Sequence, residues 1–332
     1  MNEKVLVSIV MLCYNHEKYI KKSIESVLSQ ITSFKYEIII HDDASLDHSA
    51  EIINSYVKKY PGIFNAVFQK ENQYSKGVDI MREFVWPRIK GKYVAMCECD
   101  DFWCSTKKLQ KQIDYLEKHP SIVACTNNCN IIDENDNVLS HTYEVYHYCK
   151  DHVFDIKRFE CGLFPGQTAA IVYRKELTVF PSKKQEDDYY ALRCQGDQKL
   201  DLHLLLNGDM WYFEDVMSSH RVVMDKGDSW TARVANKDMA LYMFCASRDL
   251  RHYAKKYYHY TLHNHYVTFH RGLHLVLNRI KRKQNTHIDY ELMIKEIGSR
   301  TKLFFYLIAM FIRSVPFFVI QKMARNKYDI KE

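Results

Sequence analysis

The sequence predicts an α/β protein with a mostly parallel sheet covered by helices on both faces. Strand-length runs rich in Val and Ile alternate with helix-period segments, the runs are apolar on both faces, and acids follow their ends. Val5 to Met11 reads as a first buried strand. Tyr19 to Gln30 reads as a helix with Ile20, Ile24, Val27 and Leu28 on one face. "YEIIIHDD" is a second strand ending on acids. Beyond Asp47, a capping residue, a helix carries Ile52, Ile53, Tyr56 and Val57 inward and stops near Pro61. "IFNAVFQ" is a third strand, and a helix is expected from Gly77 to Arg88. "GKYVAMCECDDFWCS" opens as a fourth strand. A helix with Leu109, Ile113 and Leu116 follows and ends at His119 and Pro120, before a fifth strand, "SIVACTNNCNIID".

The composition is that of an ordinary globular chain. Of 332 residues, 47% are hydrophobic and 27% charged, and only 10 Gly and 6 Pro are present, which argues against disorder and long linkers. A formal charge of +6, from 47 basic and 41 acidic residues, suits an anionic ligand or a membrane surface. With a single modest cluster at Lys281, Arg282 and Lys283, it does not call for nucleic acid. The N-terminal run has one basic residue before a strand and lacks a small-residue cleavage site, so a cytoplasmic start is expected. There the 10 cysteines stay reduced, and no C-x-x-C pair suggests zinc or redox chemistry.

In such sheets ligands sit at the carboxyl ends of the strands, which directs attention to "CYNH", "DDASLD" and "ECDD". The first turn lacks G-x-G-x-x-G, which excludes the usual dinucleotide site. In "CECDD" alternation puts Glu98 and Asp100 on one face and Cys97 and Cys99 on the other. Hard cations such as Mn²⁺ and Mg²⁺ take carboxylate, water and phosphate oxygens, so the acids suit a metal that also holds a diphosphate. The thiols suit the core.

These stretches, with "VSIVMLCYNHEKYIKKSIESVLSQ", "TAAIVYR" and "GDQKLDLHLLLNGDMWYFEDVMSSHRV", resemble the family 2 glycosyltransferases, from about Val7 to Val223. The resemblance implies a GT-A nucleotide-sugar-binding fold over residues 1–235, with a nucleotide-binding half (1–132) and an acceptor-binding half (133–235). A helical C-terminal region (236–332) would follow. It further implies that Asp42 or Asp43 accepts hydrogen bonds from a uracil ring or a ribose, with Tyr14 and Asn15 framing the base. Asp100 would bind the Mn²⁺ or Mg²⁺ ion, and Asp101 would hold the transferred sugar or brace the site. Glu98 stands where an Asp is commoner, and its role at the donor is left open.

For the base, the resemblance points to Asp197 at the start of a helix buried by Leu200, Leu204 and Leu205, with Asp187 and Asp188 of "QEDDYYALR" as rivals. The family's metal-binding His falls at Val223 here, which leaves His220 as a displaced candidate ligand and Arg221 as a phosphate contact or a packing residue. The implied reaction is an inverting transfer from a UDP-sugar to a hydroxyl of a bacterial surface glycan or lipid-linked glycan, at the inner face of the cell membrane. The alternative is a nucleotide-sugar-binding partner subunit with impaired catalysis, favoured by Glu98 and the absent His.

Two further features invite a reading. His259 with His263, and His270 with His274, stand at i, i+4 spacing but lack the Glu of H-E-x-x-H, so a polar or packed helix is expected. "LFFYLIAMFIRSVPFFVIQKMARNK" is interrupted by Arg313 and Pro316 and is marginal for a membrane span. It reads better as an interfacial helix, with Lys322, Arg325 and Lys327 meeting anionic lipid.

Overall fold

The computed structural model describes residues 4–139, 148, 150–223, 240–280 and 286–327. The Lys281–Lys283 cluster lies outside them. The chain alternates β1 (Val7–Cys13), α1 (Ile20–Leu28), β2 (Tyr36–Asp42), α2 (Ser49–Lys59), β3 (Phe64–Phe68), β4 (Tyr93–Met96), β5 (Phe102–Trp103), α3 (Lys108–Lys118) and β6 (Ile122–Ile132). It continues through β7 (His152–Phe154), α4 (Ile156–Glu160), β8 (Val172–Arg174), α5 (Lys183–Tyr190), α6 (Gly196–Asn207) and β9 (Asp209–Arg221). Four further helices follow: α7 (Ala240–Tyr258), α8 (His265–Ile280), α9 (Thr286–Ile297) and α10 (Arg300–Lys327).

The strands form one mixed sheet in the order β3-β2-β1-β4-β8-β6-β9-β5, with β7 also on β9. β3, β2, β1 and β4 are parallel, as are β6 and β9, whereas β8 runs antiparallel between β4 and β6. Alternation along β1 explains why it is apolar throughout. Val7, Ile9 and Met11 face one core with Ile24, Ile53 and Leu109, and Val10 faces the other with Val94, Leu204 and Tyr212. The C-terminal helices close a separate core around Phe244, Leu275, Met293 and Leu303. Gly272 permits the close approach of α8 to α10, since a Cβ there would lie 2.6 Å from the Leu307 side chain.

Two elements differ from expectation. The helix expected over Gly77–Arg88 is instead a π-helical turn (Met81–Val85) and a 3-10 turn (Trp86–Arg88), preceded by a 3-10 turn (Tyr74–Lys76). Gly77 at φ 76° ends the first of these, and Pro87 supplies no N–H to extend a ladder. The fourth strand stops at Met96, ahead of the acids, although Cys97 and Cys99 still donate to Val10 and Leu12 carbonyls at 3.0 and 3.1 Å. Both thiols are fully buried, as alternation requires.

Lys108, at the head of α3, is fully buried. Its ammonium donates to Gln112 at 2.9 Å and lies 4.4 Å from the centre of the Trp103 ring. Burial lowers its pKa to about 7, against weak opposition from Cys97, Cys125 and Cys104. Between about 7 and 10.5 the unfolded chain holds a proton that the folded chain does not, so this group's contribution to stability rises with pH across that window. Lys108→Met removes the effect. The melting-temperature difference between Lys108→Met and the parent should therefore move in the parent's favour from the acid to the alkaline side, as read by calorimetry; an unchanged difference would refute the buried-charge assignment.

Candidate active site

The carboxyl ends of β1, β2 and β4 converge with the end of β9 on one rim. Pairing of Phe102 with Ser219 brings the acid turn at residues 98–101 beside His220 and Arg221. Asp101 is 1% exposed and accepts from the Arg221 backbone N–H at 2.8 Å, while its second oxygen lies 3.1 Å from His220 Nδ1. The Arg221 guanidinium donates to the carbonyls of Asp100 and Asp133 at 2.9 and 2.7 Å and to the Asp136 carboxylate at 2.5 Å. It also stacks 4.1 Å from the centre of the Tyr19 ring. Arg221 thus braces the acid turn against the 133–136 turn and the end of β9.

The acid turn concentrates negative charge. Burial, then Asp100 and Asp101, push Glu98 up to about 8. Burial also raises Asp101, against the pull of His220 and the Arg221 N–H. Two imidazoles answer this charge. Burial opposes protonation of His220, but Asp101 and then Asp100 raise it to about 9. His16 behaves alike: its Nε2 lies 3.8 Å from Asp100, which, against burial, raises it to about 9. Asp100 keeps an open carboxylate, 29% exposed.

His16 was missed as a site residue in the sequence, although "CYNH" was singled out. It is brought to Asp100 only by the parallel register of β1 and β4.

The nucleotide-side candidates lie on the same rim. Asp42 accepts from the Ser45 N–H at 3.1 Å and the Ser45 hydroxyl at 2.5 Å. Asp43 accepts from the Gln73 and Tyr74 N–H groups at 2.8 and 3.0 Å. Asn15, at φ 56°, ties β1 to the β2–α2 loop through the Leu46 N–H at 2.8 Å, and Tyr14 is half-buried next to it. Asp47 does not cap α2, whose N-cap is His48, but stands one residue before it and accepts from the Ser49 N–H and the Glu17 N–H, both at 2.9 Å.

Three carboxylates compete as base, and their surroundings differ. Asp187 pairs with Arg82 at 2.5 Å, which lowers its pKa. Asp188 is gripped by Lys256, Tyr257 and Lys184, which push it well below the carboxylate range. Among the described residues Asp197, in the first turn of α6, accepts from the Gln198 N–H at 2.7 Å. Its carboxylate reaches solvent, yet crowding by protein raises its pKa, opposed in part by the charge of His220. Leu204 and Leu205 are buried and anchor the helix, with Leu200 packed alongside.

The donor set suits a hard divalent cation. Asp100 offers an open carboxylate, and a His whose Nδ1 donates to a carboxylate, as His220 can to Asp101, is the usual arrangement for a ligand that binds through Nε2, which here would have to give up its proton to an incoming cation. No group of three or more His, Cys, Asp or Glu converges among the described residues, so such an ion would draw further ligands from a bound diphosphate. The His259–His263 pair is not helical; both lie in the connection between α7 and α8, while His270 and His274 are on α8.

The profile of Glycosyl transferase family 2 matches residues 8–176, just over half of the 332. The chain belongs to glycosyl transferase family 2. The family 2 match covers the sheet from β1 to β8 and the acid turn. Protein Rv1520 of Mycobacterium tuberculosis is 32% identical over 186 residues, 55% of this chain and 52% of that protein. The E. coli enzyme WfaP, a UDP-Glc:alpha-D-GlcNAc-diphosphoundecaprenol beta-1,3-glucosyltransferase, is 38% identical over 112 residues, 34% of this chain and 41% of WfaP. The chain thus spans about half the length of the first curated relatives it matches. Among solved structures, S. aureus TarS 1-349 in complex with UDP-GlcNAc superposes with a TM-score of 0.62 at 15% identity, covering 97% of this chain and 92% of that one. It has the same GT-A fold.

Proposed function

We propose that this family 2 chain moves a sugar, with inversion and with a divalent cation, from a UDP-sugar to a hydroxyl of a bacterial surface glycan. Such a glycan is a repeat unit of capsule, lipopolysaccharide or exopolysaccharide, carried on lipid. The observation that carries the proposal is the rim itself, where the open Asp100 carboxylate and the His220–Asp101 pair stand at the carboxyl ends of the strands; of the three candidate bases Asp197 is the one for which the described residues hold no ion pair. The donor class and acceptor are supported by the UDP-sugar and lipid-linked acceptor in the printed description of WfaP and by the UDP-GlcNAc bound to TarS.

On this reading residues 1–132 hold the nucleotide, 133–235 the acceptor, and 236–332 form the helical region. Asp42 or Asp43 accepts from uracil or ribose through lone pairs beyond those used internally, and Tyr14 and Asn15 frame the base. Glu98 and Asp101 border the donor. Asp100, with His220 as a second ligand, holds Mn²⁺ or Mg²⁺. When bound, the cation neutralises charge on the departing diphosphate.

Asp197 takes the proton of the acceptor hydroxyl. The oxygen then bonds to the anomeric carbon from the side opposite the diphosphate, whose C–O bond breaks with the electron pair leaving on UDP. A raised pKa makes Asp197 a better acceptor of that proton than an ordinary surface carboxylate. The reaction takes place on the cytoplasmic side, with the protein peripheral at the inner face of the cell membrane. No helix among the described residues is long and apolar enough to cross a membrane.

Incubation of the full chain with UDP- and GDP-sugars, Mn²⁺ and a lipid-linked glycan extract should release UDP only when metal, UDP-sugar and acceptor are all present. Donor binding by calorimetry without release would favour the second reading, a non-catalytic nucleotide-sugar-binding subunit, to which Glu98 and Val223 in place of Asp and His lend support.

A further inference from the structure

The helix α10 has two unlike sides. Leu303 and Met310 are buried, and Tyr306 and Leu307 pack with them against the C-terminal core. Opposite them Phe304, Phe305, Ile308, Phe311 and Ile312 are exposed by 61, 63, 40, 51 and 63%. At about 100° per residue these five fall within an arc of about 120°. The Phe311 ring lies 5.1 Å from Phe269 of α8, which carries the patch onto a second helix. A continuous apolar stripe of this kind is a contact surface.

Charge identifies the occupant. Over residues 300–327 the chain carries Arg300, Lys302, Arg313, Lys322, Arg325 and Lys327 and no Asp or Glu. Lys302 and Arg313 border one side of the stripe and Arg300 the other, where Arg300 also pairs with Glu291 at 3.0 Å. A second copy seated symmetrically on this face would set these cations against their own equivalents. Anionic headgroups would instead neutralise them, while the aromatic and aliphatic side chains enter the headgroup and acyl boundary.

We infer that the Phe304–Ile312 face of α10 seats this chain on an anionic lipid bilayer, with the helix lying in the plane of the interface. The inference deepens the peripheral-membrane reading above and rests on it.

The test is co-sedimentation of the full chain with vesicles of phosphatidylcholine alone or mixed with phosphatidylglycerol, together with a Phe305→Gln, Ile312→Gln variant. Both positions are exposed, so the variant should keep the parent's melting temperature. Binding is expected only to the anionic vesicles, weakened by salt, and reduced by at least about tenfold in the variant. Absence of binding to the anionic vesicles would overturn the inference, as would equal binding by parent and variant. A parent dimer in sedimentation velocity that is lost in the variant would assign the stripe to a second copy instead. UDP release to the detergent-dispersed lipid-linked glycan extract separates the two readings: vesicle binding without release leaves the surface standing and removes the transferase function, and release without vesicle binding does the reverse.

Discussion

Asp197→Asn is expected to lower the turnover of sugar transfer by about 10²–10⁴-fold while leaving donor affinity unchanged. The amide is nearly isosteric and keeps an oxygen for the Gln198 N–H, so the first turn of α6 is preserved, but it cannot take a proton from an acceptor hydroxyl. Removing a carboxylate whose pKa is raised by crowding also costs no folding stability, so the melting temperature should hold or rise. Calorimetry for donor binding and single-turnover kinetics separate the two effects. Normal turnover would overturn the assignment and return attention to Asp187 and Asp188. Each of those would first have to leave an ion pair that now lowers its pKa.

Asp100→Ala is expected to weaken donor binding in the presence of Mn²⁺ by more than the roughly 10–100-fold typical of losing a residue that merely supports a ligand. Binding measured with a chelator present should be unaffected by the substitution. The fold should survive, because Arg221 holds the carbonyl of Asp100 and the carboxylate is left open. Metal-dependent donor binding equal to the parent's would remove Asp100 from the metal site.

Much of this was legible in the sequence because it depends on local pattern. Strands apolar on both faces imply a sheet covered on both sides, and β1, β2, α1, α2 and α3 appear where Val/Ile runs and helix-period residues place them. The burial of Cys97 and Cys99, with Glu98 and Asp100 turned the other way, follows the alternation of the strand that precedes them, whereas the burial of Asp101 depends on β9. What was not legible depends on distant partners. β5 has two residues and β8 three, and each is a strand only because β9, β4 or β6 lies alongside. The break at Gly77 and Pro87 competes with an apolar pattern that otherwise favours a helix. The choice among Asp187, Asp188 and Asp197 turns on Arg82, Lys256 and Tyr257, which no spacing rule connects to them. His16 likewise has meaning only beside Asp100.

The brace at Arg221 makes two adjacent acids answer to different demands. Asp101 is spent on holding the end of β9, and its backbone partner and His220 both lose their acceptor if it changes. Among the described residues Asp100 gives the scaffold its carbonyl, held by Arg221, and beyond that only a long 3.8 Å ion pair with His16. Substitution can therefore explore the side chain at residue 100 while residue 101 keeps the turn in shape, so descendants of this chain can alter how they grip a donor without first having to relearn how to fold.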